Sequence, residues 1–479
     1  MVSLCTLCAT RESESLVGVS DVELDIWVGS ACSASPTIDI CPSCNGILQC
    51  GSTIVNQLRG ELDAAHYDDV YGWYVSVQLS ADILFRSYIQ GIVSSENFGK
   101  SSGLKELARG LITRAIVRER YHEHYPKLTM EVQFEGSERE VPDELMKAVN
   151  QMIRRRGGGK KFRTRLSVNI ADVQQFIEST KNDGCLVYKA LFPNDDAIKE
   201  EPEMLRELKE KFIDRIPAVF PKIKTMIRRE TLFLVGKYTK TSREFGQSQW
   251  ELNATSVSET ICPPVCELFG SSVENCLFSA SGREDMDVRM LGDGRAFVLQ
   301  VGDAKRLSPI LDGGNLLSAF TVDTGDVCVK GLRWVDKGVL DFLQWSTEQH
   351  IKTYRSIIYS EETLPTQESL DSILDGKRNV KIYQKTPLRV LHRRTENTRE
   401  KTMYSIQAER LNDHYAIVTL RASAGAYIKE FIHSDFGRTQ PSFCDIIFER
   451  FVRCDILQLD VLEVEQDEDE GYVPLWDRN

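Results

Sequence analysis

The chain has no run of apolar residues approaching the roughly 20 that a bilayer-spanning helix needs. Its opening, Met1-Val2-Ser3-Leu4-Cys5, lacks the basic start and long apolar stretch of a secretory signal, so the nucleus, the cytoplasm or both is the expected location, with no membrane partner. In such a reducing compartment the thirteen cysteines are expected mostly as thiols, and the sequon Asn253-Ala254-Thr255 as a chance match. A G-x-G-x-x-G turn and a P-loop are both missing, which argues against a dinucleotide or a nucleoside triphosphate. Histidine is scarce, at seven residues, and none falls at metal-ligand spacing; His392 and His433 read as packing or RNA-facing residues. There is no internal repeat. Net positive charge is lacking too: 59 basic residues against 71 acidic ones give −12, which taken alone argues against a nucleic-acid partner.

What is present is a globular composition, 42% hydrophobic and 27% charged, over 479 residues, a length that favours two to four domains. The charge is unevenly spread. Arg154, Arg155, Arg156, Lys160, Lys161, Arg163 and Arg165 follow one another with no acid between them. A second basic stretch holds Lys222, Lys224, Arg228, Arg229, Lys237, Lys240 and Arg243, and a third Lys385, Arg389, Arg393 and Arg394. The acid lies elsewhere, in 195–210 and 463–470. Screening confines a field to about 8 Å at physiological salt, so local basic stripes can hold phosphate on an acidic chain. Any one stripe reads most simply as a solvated face; three together favour RNA.

The organisation suggests an α/β (α+β) protein in three parts. Residues 1–60 are cysteine-rich and turn-rich. Residues 61–250 form a basic accessory region. It is largely helical over 60–130 and has apolar stripes at Leu79, Ile83, Leu84, Ile89 and at Leu104, Leu107, Leu111, Ile112, Ile116. Strand-like runs follow at 128–134 and 166–170, with a glycine-rich basic loop between them and a charged helix over 201–213. A boundary is expected near 250. Residues 251–479 read as an α/β unit with mixed or antiparallel sheet. Strands are expected at 231–235, 297–301, 415–421 (Ala416, Val418 and Leu420 on one face) and 454–464.

The most informative stretch is Ser279-Ala280-Ser281-Gly282-Arg283-Glu284-Asp285-Met286-Asp287-Val288-Arg289, bounded by Gly282 and by the turn Gly292-Asp293-Gly294. If it is extended, a period of two places Arg283, Asp285, Asp287 and Arg289 on one face. Flanking guanidiniums then keep a carboxylate ionised, fit to act as nucleophile or base. A structural ion-pair ladder explains the same pattern equally well. A magnesium site is disfavoured by the competing arginines, and a glycosidase pair usually draws its acids from separate elements. The stretch Ser423-Ala424-Gly425-Ala426-Tyr427-Ile428-Lys429-Glu430 ends a strand at Gly425 and starts a helix near Tyr427. It offers Lys429 at that turn, either as a carboxylate's partner or as a plain surface lysine.

Gly282-Arg283-Glu284-Asp285 resembles the G-R-x-D motif of pseudouridine synthases, and Gly425-x-Tyr427-Ile428-Lys429 their G-x-Y-I-[K/R] motif. Gln384-Lys385-Thr386-Pro387-Leu388-Arg389-Val390-Leu391-His392-Arg393-Arg394, Asp435-Phe436-Gly437-Arg438-Thr439 and Gly236-Lys237-Tyr238 extend the likeness. Over about residues 230–465 they resemble the Pus ten family of archaeal and eukaryotic tRNA pseudouridine synthases. The resemblance implies a pseudouridine synthase catalytic domain with Asp285 as catalytic aspartate and Lys429 as its basic partner. Tyr354 becomes the tyrosine that stacks on the target base, with Tyr359 as a nearby alternative, and Ile428 part of the apolar wall. Arg283, Arg389, Arg393 and Arg394 contact substrate. It further implies a THUMP-type accessory domain, tRNA as partner with other small RNAs in reserve, targets at positions fifty-four and fifty-five of the T arm, and no catalytic cofactor. The family's P-Q-T-P-W stands here as Gly246-Gln247-Ser248-Gln249-Trp250, and its G-R-P-F as Gly294-Arg295-Ala296-Phe297, departures that bear on substrate choice.

Cys5-x-x-Cys8 and Cys41-x-x-Cys44 are spaced as zinc knuckles, with Cys32 and Cys50 as alternative ligands. A structural zinc on Cys5, Cys8, Cys41 and Cys44 is expected, partly because the family carries paired N-terminal cysteines. Two rival functions keep the basic runs. One is an RNA-binding protein without catalysis, which tolerates loss of Asp285. The other is a THUMP-bearing methyltransferase, which needs a glycine-rich cofactor loop that is not found.

Overall fold

The computed structural model describes residues 21–29, 40–41, 44, 46–67, 72–93, 104–116, 126–136, 142–156, 168–181, 183–195, 199–214, 220–248, 255–311 and 320–465. The chain divides into two compact units, Met1–Glu230 and Thr231–Asn479. The division falls ahead of the expected 250, because residues 232–240 form an interior strand of the second unit's sheet. No helix among the described residues is long and apolar enough to cross a membrane.

The first unit holds a three-stranded sheet of β1 (Trp73–Leu79), β2 (Leu128–Glu135) and β3 (Lys222–Arg229). β1 runs parallel to β2, and β2 antiparallel to β3. β2 alternates buried and half-buried along its length, as a strand with one covered face must. Val75, Val77, Met130, Val132 and Phe134 pack with Trp27, Leu58 and Leu111 into one core. A second core gathers Phe85, Leu145, Phe176 and Phe212 from the surrounding helices. Two readings need correction. Leu79 ends a strand that interrupts the expected helical stretch. Residues 168–170 are not a strand: Asn169 caps the helix Ile170–Thr180 through a reciprocal bond with Asp172, which turns the chain into a helix at that point. Residues 201–209 are the expected charged helix. Cys41 and Cys44 are buried in the first core, whereas Cys5 and Cys8 lie outside the described residues, as do Cys32 and most of the basic run 154–165. Zinc ligation by that set of four remains a proposal.

The second unit is built on an eleven-stranded mixed sheet. Its strands are β4 (Leu232–Lys240), β5 (Cys276–Ala280), β6 (Val288–Val301), β7 (Val322–Asp323), β8 (Val327–Val335), β9 (Lys352–Ser360), β10 (Val380–Lys385), β11 (Thr398–Arg410), β12 (Tyr415–Ala422), β13 (Thr439–Gln440) and β14 (Cys454–Val464). They lie in the order β13-β10-β11-β12-β9-β14-β6-β4-β8-β7, with β5 on β6. The β14–β6 pairing is parallel and the others antiparallel. Gly292 and Gly294 do not end a turn; they lie inside β6, at φ 62° and 86°. A β-carbon on Gly292 would come 2.1 Å from the Leu462 carbonyl, and one on Gly294 2.6 Å from that of Tyr238, so only glycine fits this bulge. The bulge lets β6 reach β14 with one end and β4 and β5 with the other. Ala416, Val418 and Leu420 of β12 are buried together with Tyr354 and Ile358 of β9. Cys444 and Cys454 are joined by a disulfide.

Candidate active site

Residues 281–287, between β5 and β6, carry Asp285. They form a turn rather than the extended face expected, because Gly282 takes φ 86° and the Val288 amide closes on the Asp285 carbonyl. Arg283, Asp285, Asp287 and Arg289 are therefore not one row. Arg289 instead grips Asp460 of β14, with its Nε 2.8 Å away. Arg283 is exposed at the rim of the cavity that Asp285 faces.

The carboxylate's cations come from elsewhere. Arg389 Nη1 lies 3.2 Å and Lys429 Nζ 3.3 Å from Asp285 Oδ2. Burial pushes the Asp285 pKa up, but Arg389 and Lys429 outweigh it and hold the carboxyl below its usual value. Each cation is shared. Lys429 sits 2.8 Å from both oxygens of Asp287, closer than to Asp285, and Arg389 Nε donates to the buried Glu430 at 2.7 Å. The G-x-Y-I-K turn is fixed by the buried Gln384 of β10, whose amide donates to the Tyr427 carbonyl and accepts from its NH, both at 2.9 Å. Gly425 allows the bend at φ 70°, and Lys429 follows in the first turn of the helix Ile428–His433.

Asp285 opens on a cavity of about 550 Å³ lined also by Tyr354, Ile428, Lys429, Arg283, Arg389, Arg393 and Arg394. All eight residues assigned to catalysis and substrate by resemblance thus meet in one place. Tyr354 is 9% exposed, on the same face of β9 as Ile358, and burial pushes its pKa to about 12. Tyr359 points the other way, against His414 and Tyr415, so it is not the tyrosine of this cavity. Val288, Val461 and Leu459 complete an apolar wall.

Sequence reasoning missed the frame behind the turn. Buried Glu284 pairs with Arg295 at 2.8 Å and accepts from Tyr238 Oη at 2.8 Å. Arg295 donates to the Ser281 carbonyl at 2.7 Å, and Gln247 to the Gly282 carbonyl at 2.9 Å. Lys240, fully buried at the end of β4, donates to the carbonyls of Phe245 (2.7 Å), Asp285 (3.2 Å) and Met286 (2.8 Å). Arg243 reaches the Asp287 carbonyl at 2.8 Å and binds Asp460. In the second basic stretch, which reads from sequence as favouring RNA, Lys222, Lys224, Arg228 and Lys237 are exposed and the other three residues are turned to structural contacts. Lys240 and Arg243 brace the turn, Arg229 is buried over the Tyr67 ring, and Lys224 and Arg228 pair with Glu135 and Glu131.

A family model described as Pus10, C-terminal, matches residues 233–465. This region is similar to the C-terminal part of the Pus10 family. The tRNA pseudouridine synthase Pus10 of Mus musculus is 34% identical over 242 residues, 49% of this chain and 45% of that protein. The protein of the same name from Pyrococcus furiosus is 31% identical over 245 residues, 51% of this chain and 60% of the other. The chain thus spans about half the length of the Pus10 relatives it matches. A solved Cbf5-Nop10-Gar1 complex aligns over 48% of the chain at 11% identity, but its TM-score of 0.27 is too slight to argue from. Within the matched region lie Asp285, Tyr354, Arg389 and Lys429, together with the frame formed by Tyr238, Lys240, Glu284 and Arg295.

Proposed function

We propose that the chain is a tRNA pseudouridine synthase that isomerises uridine in the T arm, at position fifty-five and also fifty-four, with Asp285 as the catalytic carboxylate. One observation carries this: a carboxylate kept ionised by two cations, Arg389 and Lys429, at the mouth of a cavity with a buried tyrosine in its wall. At about 550 Å³ the cavity is of the size that encloses a small organic ligand, here a nucleotide turned out of its stack. An ionised, positioned carboxylate serves as nucleophile or base at the sugar. Tyr354 offers the base a flat apolar face while its burial keeps the hydroxyl protonated. Arg283, Arg393 and Arg394 are exposed at the cavity and suited to phosphate oxygens. The family match, with relatives named as tRNA pseudouridine synthases, supports the same reading. In the native chain incubated with unmodified tRNA, chemical mapping should find pseudouridine in the T arm. Asp285→Asn should bind that tRNA and yield none. Product from the variant removes Asp285 from the mechanism, and no product from either leaves the RNA-binding reading in its place.

A further inference from the structure

Lys352 has no role in the chemistry described so far, yet its surroundings are costly. It opens β9, two residues before Tyr354 and on the same face, and is 7% exposed. It lines the Asp285 cavity. Among the described residues its ammonium has no carboxylate in ion-pair range and no hydrogen-bond partner. The charged and titratable groups around it are Arg295 of β6, Lys401 of β11, Glu284 of the turn and Tyr354 of β9. Glu284 is already committed to Arg295 at 2.8 Å, and Lys401 to the Ala424 carbonyl at 2.6 Å. Lys352 Nζ and Arg295 Nη1 both converge on Gly282, 3.4 Å and 3.0 Å from where its β-carbon would stand. Lys352, Arg295 and Lys401 thus stand against Glu284, an excess of two cations among these groups. Burying an ammonium without an anion is unfavourable, so a floor built this way suits an anion that arises only during reaction.

We propose that Lys352 contacts the detached uracil and stabilises the negative charge that it carries between bond cleavage and bond formation. The proposal rests on the pseudouridine synthase reading above. When the N1–C1′ bond breaks, its electron pair leaves with the base and spreads from N1 onto the two ring carbonyl oxygens, whichever role Asp285 takes at the sugar. The turned base then uses a ring electron pair to form C5–C1′. The C5 proton goes to water and N1 takes a proton from water, so the product is an isomer of the substrate. A cation beside the carbonyl oxygens lowers the energy of the separated anion, and is of little use to the neutral uridine or to the neutral product.

The test is single-turnover pseudouridine formation on unmodified tRNA by the native chain and by Lys352→Met, with tRNA affinity and thermal unfolding measured alongside. The variant should react roughly 10²-fold more slowly, the loss typical of one donor to a developing anion. It should bind tRNA as the native chain does and melt no lower, because a similar-sized apolar chain replaces an unpaired buried charge. A lysine of merely structural value would instead lower the melting point. Burial and Arg295 bring the Lys352 pKa down to about 8, so the ammonium is present below that pH and lost above it. The native rate should accordingly fall more steeply than that of Lys352→Met as pH rises past about 8, until the two converge. The buried Lys240 titrates in the same range, so a variant that declines in parallel with the native chain overturns the assignment, as does native speed in the variant or a loss confined to tRNA affinity. A native chain that makes no pseudouridine fails the functional reading itself, and is told apart by the absence of any rate to compare.

Discussion

Replacing Lys240 by methionine separates the frame of the Asp285 turn from the chemistry proposed for it. Lys240 touches no substrate-facing atom; its ammonium is buried against three backbone carbonyls, two of them belonging to Asp285 and Met286. At about 1.5–3 kcal/mol for each bond to a charged group, the three together contribute roughly 4–9 kcal/mol. Against this stands the cost of burying the charge. A pKa lowered from 10.5 to about 8, mainly by desolvation, corresponds to roughly 3 kcal/mol at 1.36 per unit. The variant should therefore lose about 1–6 kcal/mol of unfolding free energy at pH 7. Its turnover should drop about 10²-fold, because a reacting group displaced by about 1 Å loses that much, while tRNA affinity stays within about twofold. Tritium release from uridine labelled at C5 reads the turnover and urea unfolding reads the stability. The pH dependence supplies a sign. The folded chain sheds the Lys240 proton near pH 8 and the unfolded chain only near 10.5, so the unfolded state binds more protons between the two. Stability due to this group then rises with pH across that window, by roughly 2–3 kcal/mol at pH 10, and Lys240→Met lacks this share while keeping the share that Lys352 contributes in both chains. Native turnover in the variant, or the same rise in both chains, would refute the brace.

Two further outcomes follow from the same network. Arg389 and Lys429 hold Asp285 below its usual carboxylate range, so the ionised form, and with it the activity proposed above, should persist as pH falls to that lowered value. Removing one cation in Lys429→Met should raise the acid limb of the rate–pH profile, modestly because the Asp285 side chain is 39% exposed; an unmoved limb means another group titrates there. Glu284→Gln strips the charge from a pair whose side chains are 1% and 3% exposed and leaves Arg295 uncompensated, so urea unfolding should show a loss of about 3–5 kcal/mol, and a variant as stable as the native chain removes the pair from the frame.

Much of this architecture was legible because it is periodic. The strand at 454–464 and the buried row Ala416, Val418, Leu420 follow from alternation alone, and residues at the two motifs reach one cavity as the resemblance implied. The failures have a common physical source. Period two was applied across 283–289, but the left-handed Gly282 and the closing bond at Val288 break the pleat, so Glu284 turns inward and Asp285 outward. Basic residue type was read as solvent exposure in Lys240 and Arg243, yet β4 lies between β6 and β8, and its last lysine has only carbonyls to meet. Burial of that kind depends on strand order in the sheet, which no local spacing encodes. Gln384 reads from sequence only as the first residue of a basic motif, although its amide clamps Tyr427 from both sides.

The two halves of the site are held by different means, and this bears on how Asp285 can react. The backbone of its turn is gripped through carbonyl oxygens by Arg295, Gln247, Lys240 and Arg243. The carboxylate is held by Arg389 and Lys429, each of which also has a second acid, Glu430 or Asp287. In the function proposed above, when Asp285 gives up its charge by bonding to the substrate or taking a proton, both cations keep an anionic partner, so neither is left unpaired at the moment of reaction. The turn meanwhile cannot follow the carboxylate, because its carbonyls remain bonded. A side chain that can lose its charge on a backbone that cannot move is the arrangement electrostatic preorganisation requires.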